Sequence, residues 1–171
     1  MAITLVLGGA RSGKSAYAEG LVLAAADRAL YLATAGVLDD EMAERVAMHR
    51  ASRDRRWHTI EEPLELPALL MAEAREDRPI LVDCLTLWLS NLLHAERDIA
   101  AETASLVAAL RRVSGSVVLV SNEVGLGIVP DNPLARAFRD HAGRLHQQVA
   151  AIADRVVFIA AGLPLTLKSP S

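Results

Sequence analysis

The stretch Gly8-Gly9-Ala10-Arg11-Ser12-Gly13-Lys14-Ser15 decides the fold of this chain, because it matches the pattern G-x-x-x-x-G-K-[ST] and directly follows the apolar run Ile3–Leu7. This combination is typical of a strand that enters a phosphate-binding loop. The glycines at positions 8 and 13 lack a Cβ atom, so the backbone can turn tightly and point several N–H groups at one anion. The sequence therefore predicts a binding site for a nucleoside triphosphate.

The residues after the loop fit the same interpretation. A helix that begins near Lys14 adds the positive end of its dipole to the phosphate site. Lys14 would contact the β- and γ-phosphates, and Ser15 would bind the magnesium ion. The alternative is an ordinary glycine-rich turn between a strand and a helix.

Short apolar runs alternate with longer amphipathic ones along the chain. Such alternation predicts an α/β fold with a mostly parallel sheet covered by helices on both faces, as in nucleotide-binding proteins with a phosphate loop. Leu163–Lys168 is expected to pair as a C-terminal antiparallel hairpin through Ala161-Gly162. The predicted strands are Ile3–Leu7, Ala29–Ala33, Trp57–Glu61, Ile80–Asp83, Val117–Ser121 and Val156–Ala160.

Length and composition limit the class of protein. A chain of 171 residues with 52% hydrophobic residues is expected to form a single domain over residues 1–171, with about 70% of its unfolded surface buried. A net charge of −3 gives no broad basic field, which argues against a nucleic-acid partner. No apolar stretch approaches the roughly 20 residues that span a bilayer.

The cysteine content and the N-terminal sequence predict the cellular compartment of the protein. The single Cys84 cannot form a disulfide within the chain, and no Cys/His set has zinc-finger spacing. The N-terminal apolar run lacks the basic flank and cleavage site of a secretory signal. We therefore expect a cytoplasmic protein, with Cys84 acting as a small apolar filler.

A helix is predicted from the acidic group at 39–41 to about Arg53, because acidic residues favour a helix N-terminus. Within it, Met42, Val46, His49 and Arg53 share one face. From the residues alone, His49 is either a buried histidine with a satisfied hydrogen bond or a nucleophile beside arginines. Arg50 and Arg53 could grip phosphate, although such residues more often form a solvated helix face.

The strand Ile80–Asp83 ends in a carboxylate, an arrangement that in phosphate-loop proteins holds magnesium next to the hydroxyl of the loop. Asp83 is therefore the metal-side candidate. Its alternative role is to cap the helix predicted over Leu85–Leu93.

The segment Asn122–Pro130 follows a strand at the edge where open α/β sheets bind ligands. It is unusually apolar for a loop, so it either forms a hydrophobic wall for a bulky substrate or packs on the domain surface. Asp131 or Asn132 is expected to cap the next helix, with Pro133 in its first turn.

That last helix carries an apolar stripe and several arginines. His141 lies on the stripe and is expected to be structural, while the arginines meet either a phosphate or only water. The stripe consists of Leu134, Phe138, His141, Leu145, Val149 and Ile152, and the arginines are Arg136, Arg139 and Arg144.

Taken together, six segments resemble the bifunctional adenosylcobinamide kinase / adenosylcobinamide-phosphate guanylyltransferase family of cobalamin biosynthesis. The resemblance covers nearly the whole chain in the same order, and its loop and following helix are more specific than the phosphate loop. The segments are GGARSGKS (Gly8–Ser15), YLATA (Tyr31–Ala35), LDDEMAERVAMHR (Leu38–Arg50), Trp57–Glu61, VDCLTLWLSNLL (Val82–Leu93) and SNEVGLGIVPDNPLARAFRDHAGRLHQ (Ser121–Gln147).

The resemblance implies two reactions. ATP or GTP phosphorylates adenosylcobinamide, and GMP is then transferred from GTP to adenosylcobinamide phosphate through a guanylylated histidine, which matches His49. It also implies a homo-oligomer, reportedly a trimer, and magnesium as cofactor. The implied catalytic residues are His49 and Lys14, the metal ligands Ser15 and Asp83, and the nucleotide contacts Gly8, Gly9, Ala10, Arg11, Ser12, Gly13, Lys14, Ser15, Ala33, Thr34, Ala35, Arg50, Ala51, Ser52, Arg53, Glu61 and Asp83.

The chain departs from some family members at one point. They carry two adjacent histidines in this helix, whereas Met48 precedes His49 here. The nearest other histidine, His58, lies past the helix. Two other functions stay open: a small-molecule kinase without guanylyl transfer, and a nucleotide-dependent switch, although the N-K-x-D motif that reads guanine in GTPase switches is absent from the sequence.

Overall fold

The computed structural model describes residues 2–35 and 55–170. The predicted helix from 39 to 53 lies outside these residues. The strands are β1 (Ala2–Gly8), β2 (Ala29–Ala33), β3 (Trp57–Glu61), β4 (Ile80–Asp83), β5 (Ser116–Asn122), β6 (Arg155–Ala160) and β7 (Leu163–Lys168). The helices are α1 (Lys14–Leu23), α2 (Leu66–Glu73), α3 (Leu85–His94), α4 (Ile99–Leu110) and α5 (Pro133–Ile152).

The strands form one sheet in the order β3-β2-β4-β5-β1-β6-β7. All neighbours are parallel except β6 and β7, which pair antiparallel through the turn at Ala161 and Gly162. The predicted α/β fold, the strand at Trp57–Glu61 and the C-terminal hairpin are therefore confirmed. Because β1 to β6 run in the same direction, the ends of β1, β2, β3, β4 and β5 bring their following loops to one edge, which we call the carboxyl edge.

Alternating side chains of each strand pack into two separate cores. Leu5 of β1 faces α3, α4 and α5 in one cluster, whereas Val6 faces α1 through Ala18 and Val22 in the other. This two-sided burial explains why the central strands are almost wholly apolar. Among the described residues, no helix is long and apolar enough to span a bilayer.

Helix α5 differs from expectation in its buried face. Asn132 is the cap, because its side chain accepts a hydrogen bond from the Ala135 N–H. Leu134, predicted on the buried stripe, is 65% exposed. The buried positions of α5 are Ala142, Leu145, His146 and Val149. The buried face thus keeps Leu145 and Val149 of the predicted stripe and adds Ala142 and His146. The buried histidine is His146 rather than His141.

Candidate active site

The phosphate loop connects β1 to α1 at the carboxyl edge. Gly13 precedes the helix in the left-handed region, with φ of 93°, a conformation that glycine adopts without strain. Its carbonyl accepts the N–H of Tyr17 at 3.0 Å and so starts the helical ladder. Lys14 is buried, and its Nζ donates to the Gly9 carbonyl at 3.2 Å. The ammonium group is thus held back over the loop that would contain the phosphates.

The phosphate loop is tightly packed and contains a buried polar group, the hydroxyl of Ser12. A Cβ atom on Gly8 would lie 2.5 Å from Ser12 Oγ and 2.7 Å from the Ile159 carbonyl, so only glycine fits. The turn after β6 supports the loop, since the Gly162 N–H donates to the Ser12 carbonyl at 2.8 Å. Ser12 Oγ itself is buried, and no residue within 2–35 and 55–170 forms a hydrogen bond with it. A phosphate oxygen would satisfy this hydroxyl, so the loop fits an anion.

Asp83 ends β4 at the same edge. Its Oδ2 accepts the hydroxyl of Tyr31 at 2.8 Å, and it does not cap the following helix, whose N-cap is Cys84. One strand, β5, separates β4 from β1. Two interstrand spacings place the end of β4 about 10 Å from the start of the loop. Ser15 and Asp83 are the residues that could hold a metal ion here, Asp83 directly or through water.

The donor chemistry of this pair suits magnesium. A hydroxyl, a carboxylate and phosphate oxygens are the hard oxygen ligands that Mg²⁺ prefers, with water in the remaining positions. Within residues 2–35 and 55–170, no three His, Cys, Asp or Glu side chains are grouped as a ready-made metal cage.

The predicted contacts at Ala33–Ala35 follow β2 and are rigidly tied to β4. Thr34 Oγ1 donates to the Cys84 carbonyl at 2.6 Å and accepts the Cys84 N–H at 2.8 Å. The amide of Asn91 on α3 donates to the Thr34 carbonyl at 2.7 Å and to the Pro63 carbonyl at 3.0 Å. The segments that follow β2 and β3 are therefore fixed to one helix.

Glu61 lies at the far end of this edge. It is the exposed last residue of β3, and β3 is four strand positions from β1. Four spacings correspond to about 19 Å, so Glu61 is too far from the phosphate loop to contact a phosphate held there. The remaining predicted residues, His49, Arg50, Ala51, Ser52 and Arg53, lie outside the described residues.

A buried polar network beneath the carboxyl edge was not predicted from the sequence. Ser121 Oγ lies 2.7 Å from His146 Nε2 and 3.3 Å from Thr86 Oγ1, which in turn accepts the Asn122 N–H at 2.8 Å. Burial lowers the pKa of His146, while the negative charge of Glu123 acts in the opposite direction. The imidazole is thus held in its neutral form. Only the neighbouring Ser121, at the polar end of an apolar strand, hinted at such a network.

Cys84 is buried as expected. Burial raises the pKa of its thiol, and the carboxylate of Asp83 adds to the effect. The thiol is therefore protonated and suited to packing rather than to nucleophilic chemistry.

The segment Asn122–Pro130 begins beside the phosphate loop, because the Glu123 N–H donates to the Gly8 carbonyl at 3.0 Å. Val124 packs on the core, but Leu126, Ile128 and Val129 are 83%, 97% and 62% exposed. Of the two interpretations of this loop, packing on the domain surface therefore fails for these three side chains.

An open groove lies between α3 and the start of α5. Its volume is about 360 Å³, and its lining combines apolar side chains with a few polar ones. Leu134, one of the exposed apolar residues, forms part of its wall. The lining residues are Ser90, Leu93, His94, Asn132, Leu134, Ala135 and Phe138.

The arginines of α5 have different surroundings. Arg136 Nη1 donates to the carbonyls of Pro130 and Asp131 at 2.9 and 2.8 Å, and so closes the apolar loop onto the helix. Arg139 pairs with Asp140 at 3.2 Å. Arg139 and Arg144 also line a cavity of about 320 Å³ that reaches Gly125.

Comparison with known sequences gives a consistent result. The family model described as cobinamide kinase / cobinamide phosphate guanyltransferase matches residues 4–167. The bifunctional adenosylcobalamin biosynthesis protein CobP of Pseudomonas aeruginosa is 49% identical, with 96% of each chain covered. The proteins named CobU from Salmonella typhimurium and Escherichia coli are 45% and 43% identical, over 96% of this chain and 98% of theirs.

Solved structures support the fold alone. The flagellar accessory protein FlaH of Methanocaldococcus jannaschii superimposes with a TM-score of 0.54 at 13% identity, covering 99% of this chain and 79% of FlaH. The RadB recombinase gives 0.53 at 15% identity, covering 92% and 73%. The shared architecture is a phosphate-loop α/β sheet.

Proposed function

Because the chain belongs to the cobinamide kinase / cobinamide phosphate guanyltransferase family, we propose that it phosphorylates adenosylcobinamide with ATP or GTP and then transfers GMP from GTP to the product. The structural observation that carries this proposal is the tight glycine loop. It holds the buried hydroxyl of Ser12, which no described residue satisfies, and the ammonium group of Lys14, which donates to the Gly9 carbonyl. The end products are adenosylcobinamide-GDP and pyrophosphate.

In the kinase step, the N–H groups of Gly8–Ser15 bind the triphosphate and Lys14 neutralises the β- and γ-phosphates. The acceptor hydroxyl attacks the γ-phosphorus, and the bond from that phosphorus to the bridging oxygen breaks. Ser15 and Asp83 would hold magnesium, which supplies positive charge and fixes the triphosphate oxygens when bound.

In the guanylyl step, we propose His49 as the nucleophile. A neutral imidazole nitrogen forms a bond to the α-phosphorus, and the bond to the oxygen that bridges the α- and β-phosphates breaks, so that pyrophosphate leaves. An oxygen of adenosylcobinamide phosphate then attacks the same phosphorus and releases His49. Arg50 and Arg53 would stabilise the charge on the phosphoryl oxygens, and Lys14 the charge on the leaving group.

The nucleotide contacts are proposed to follow the carboxyl edge. Ala33, Thr34 and Ala35 lie at the end of β2, three interstrand spacings from β1. Glu61 lies at the end of β3, four spacings from β1 along the same row of strand ends. A nucleotide that extends from the loop across β5 and β4 would reach these positions with its nucleoside part. Ala51 and Ser52 are assigned to the same contacts by family resemblance.

The corrinoid is proposed to bind on the apolar loop and the groove between α3 and α5. The exposed side chains of Leu126, Ile128 and Leu134 offer apolar contact, while His94 and Asn132 offer polar groups to the amide arms of the corrinoid. The apolar loop begins beside the phosphate loop, where the Glu123 N–H donates to the Gly8 carbonyl, and this contact supports the proposal. We also propose that this apolar surface supports a homo-oligomer, a trimer by family resemblance, and that the protein acts in the cytoplasm.

Product analysis tests the function. The protein is mixed with adenosylcobinamide, magnesium and GTP, and mass spectrometry should detect adenosylcobinamide phosphate followed by adenosylcobinamide-GDP. A monofunctional kinase would stop at the phosphate without releasing pyrophosphate. Nucleotide binding with no turnover of any corrinoid would instead support a switch.

The covalent step has its own test. With magnesium and GTP labelled at the α-phosphate, an acid-labile protein adduct should form and disappear when adenosylcobinamide phosphate is added. His49→Ala should abolish the adduct, whereas His58→Ala should retain it. An adduct that survives in His49→Ala would refute the assignment.

A further inference from the structure

Phosphoryl transfer to a hydroxyl group requires a group that accepts the hydroxyl proton. Among the described residues, the acidic side chains at the ends of the strands on the carboxyl edge are those of Glu61, Glu62, Asp83 and Glu123. They follow β3, β4 and β5. Their distances from the phosphate loop therefore depend on the strand order.

The strand order favours Glu123. Strand β5 is the direct neighbour of β1, so its end lies one spacing of about 5 Å from the loop, whereas the end of β3 lies about 19 Å away. Asn122 is in register with Gly8, and the next N–H along the chain, that of Glu123, donates to the Gly8 carbonyl at 3.0 Å. The backbone of Glu123 is thus anchored to the first glycine of the phosphate loop.

The other carboxylates are already engaged. Asp83 accepts the hydroxyl of Tyr31 and is the proposed metal ligand. Glu62 Oε1 accepts two backbone N–H groups, those of Leu64 and Glu65, both at 2.9 Å. Glu61 has interactions of its own at the far edge of the sheet.

The side chain of Glu123 is oriented by one contact. Its Oε1 accepts the N–H of Gly125, while its Oε2 has no partner among the residues that the structure describes. Gly125, whose N–H it accepts, lines a cavity together with residues of α5, so this contact lies on the side of the sheet that α5 covers. That is the side of the proposed corrinoid groove.

There is room beside this carboxylate for an acceptor. Gly125 lines the cavity of about 320 Å³ that Arg139 and Arg144 close from α5. A substrate arm in this cavity would contact Gly125, whose N–H binds the carboxylate of Glu123. Glu123 is thus tied through its backbone to the phosphate loop and through its carboxylate to a residue that lines this cavity.

We propose that Glu123 is the catalytic base of the kinase step. A carboxylate oxygen of Glu123 takes the proton of the acceptor hydroxyl as the hydroxyl oxygen bonds to the γ-phosphorus. The bond from the γ-phosphorus to the β,γ-bridging oxygen breaks, and its electron pair leaves with the nucleoside diphosphate. The guanylyl step needs no such base, because its nucleophiles are a neutral imidazole and a phosphate oxygen that is already ionised.

This inference rests on the proposed function. Because the chain is proposed to catalyse two reactions, assays of each reaction distinguish a failure of the inference from a failure of the proposed function. Glu123→Gln is assayed for ATP-dependent phosphorylation of adenosylcobinamide and, separately, for GMP transfer to adenosylcobinamide phosphate supplied directly. Phosphorylation should fall by about 100-fold or more, while GMP transfer stays within about threefold of the original protein. Glu62→Gln, at the same edge, is the matched control and should change neither rate.

Two more variants keep the test decisive if Glu123→Gln unfolds. Glu123→Asp retains a carboxylate and should restore much of the phosphorylation. In Gly125→Ala, the added Cβ would lie 2.9 Å from Glu123 Oε1, so the carboxylate must shift, and phosphorylation alone should decrease. A folded variant in which both rates fall together, or in which phosphorylation is unchanged, would overturn the role of Glu123. Failure of the unmodified protein to use any corrinoid would overturn the proposed function instead.

Discussion

At the scale of single residues, substitutions at two glycines distinguish a position where only glycine fits from one where glycine merely lowers helix propensity. Gly8→Ala places a Cβ against Ser12 Oγ and the Ile159 carbonyl, whereas Gly20, in the middle of α1, has nothing within 4 Å of an added Cβ. We expect Gly8→Ala to lower the free energy of unfolding by about 1–3 kcal/mol and to weaken nucleotide binding. Gly20→Ala should raise that free energy by about 0.5–1 kcal/mol.

Urea denaturation of both variants checks this pair, with nucleotide affinity measured by calorimetry. A Gly8→Ala protein as stable as the original would contradict the close approach of β1, the phosphate loop and β6.

His146 gives a second prediction at this scale, on pH. Burial holds the pKa of the folded imidazole below its ordinary value of 6.5, so the unfolded chain binds more protons between the two values. The contribution to stability is therefore complete above pH 6.5 and is lost as the pH falls through 6.5 toward the lowered value. Each pKa unit of lowering corresponds to about 1.4 kcal/mol.

The free energy of unfolding, measured from pH 7.5 to pH 5, should decrease less steeply in His146→Gln, whose amide can still bond to Ser121. His58→Gln, at an exposed position of β3, is the control and should keep the original slope. Equal slopes in all three proteins would mean that His146 is not buried as a neutral group.

At the scale of elements, Asn91 of α3 holds two loops of the carboxyl edge in place. Its amide bonds to the carbonyls of Thr34 and Pro63, which follow β2 and β3. Asn91→Ala leaves both carbonyls without this donor, so we expect a loss of about 1–3 kcal/mol in the free energy of unfolding. Nucleotide affinity should also decrease, because Ala33–Ala35 would no longer be fixed.

Gln148→Ala, which removes an exposed amide from α5, is the matched control for Asn91→Ala and should change stability by less than about 0.5 kcal/mol. Denaturation and nucleotide titration of the two variants measure both effects. An Asn91→Ala protein with full stability and affinity would show that the two loops are positioned independently of α3.

At the scale of the whole molecule, ligand binding and stability are linked. A nucleotide that binds only the folded chain stabilises it by about 2.7 kcal/mol when present at 100 times its dissociation constant. GTP with magnesium should therefore raise the melting temperature, and Lys14→Met should remove most of this increase. Lys168→Met, at an exposed position in β7, should retain it. A melting temperature that does not respond to GTP, ATP or GDP would contradict the phosphate site.

Local sequence patterns were sufficient to predict much of the fold and the enzyme family. Glycine spacing after an apolar strand identified the phosphate loop, since residues without a Cβ let the backbone turn tightly around an anion. Alternation of apolar runs and amphipathic segments predicted the parallel sheet, the strand at Trp57–Glu61 and the final hairpin. Resemblance of the motifs indicated the enzyme family, which the comparisons confirmed.

Only the tertiary structure decided how the strands are ordered and which side chains meet. Periodicity reports the face that a residue occupies but not the neighbour across the sheet, so the contact of Ser121 with His146 could not be predicted. For the same reason the sequence could not predict the position of Glu123, because its place beside Gly8 depends on β5 lying next to β1. The sequence by itself determined which chemical groups are present and on what elements, whereas long-range strand pairing determined the distances between them.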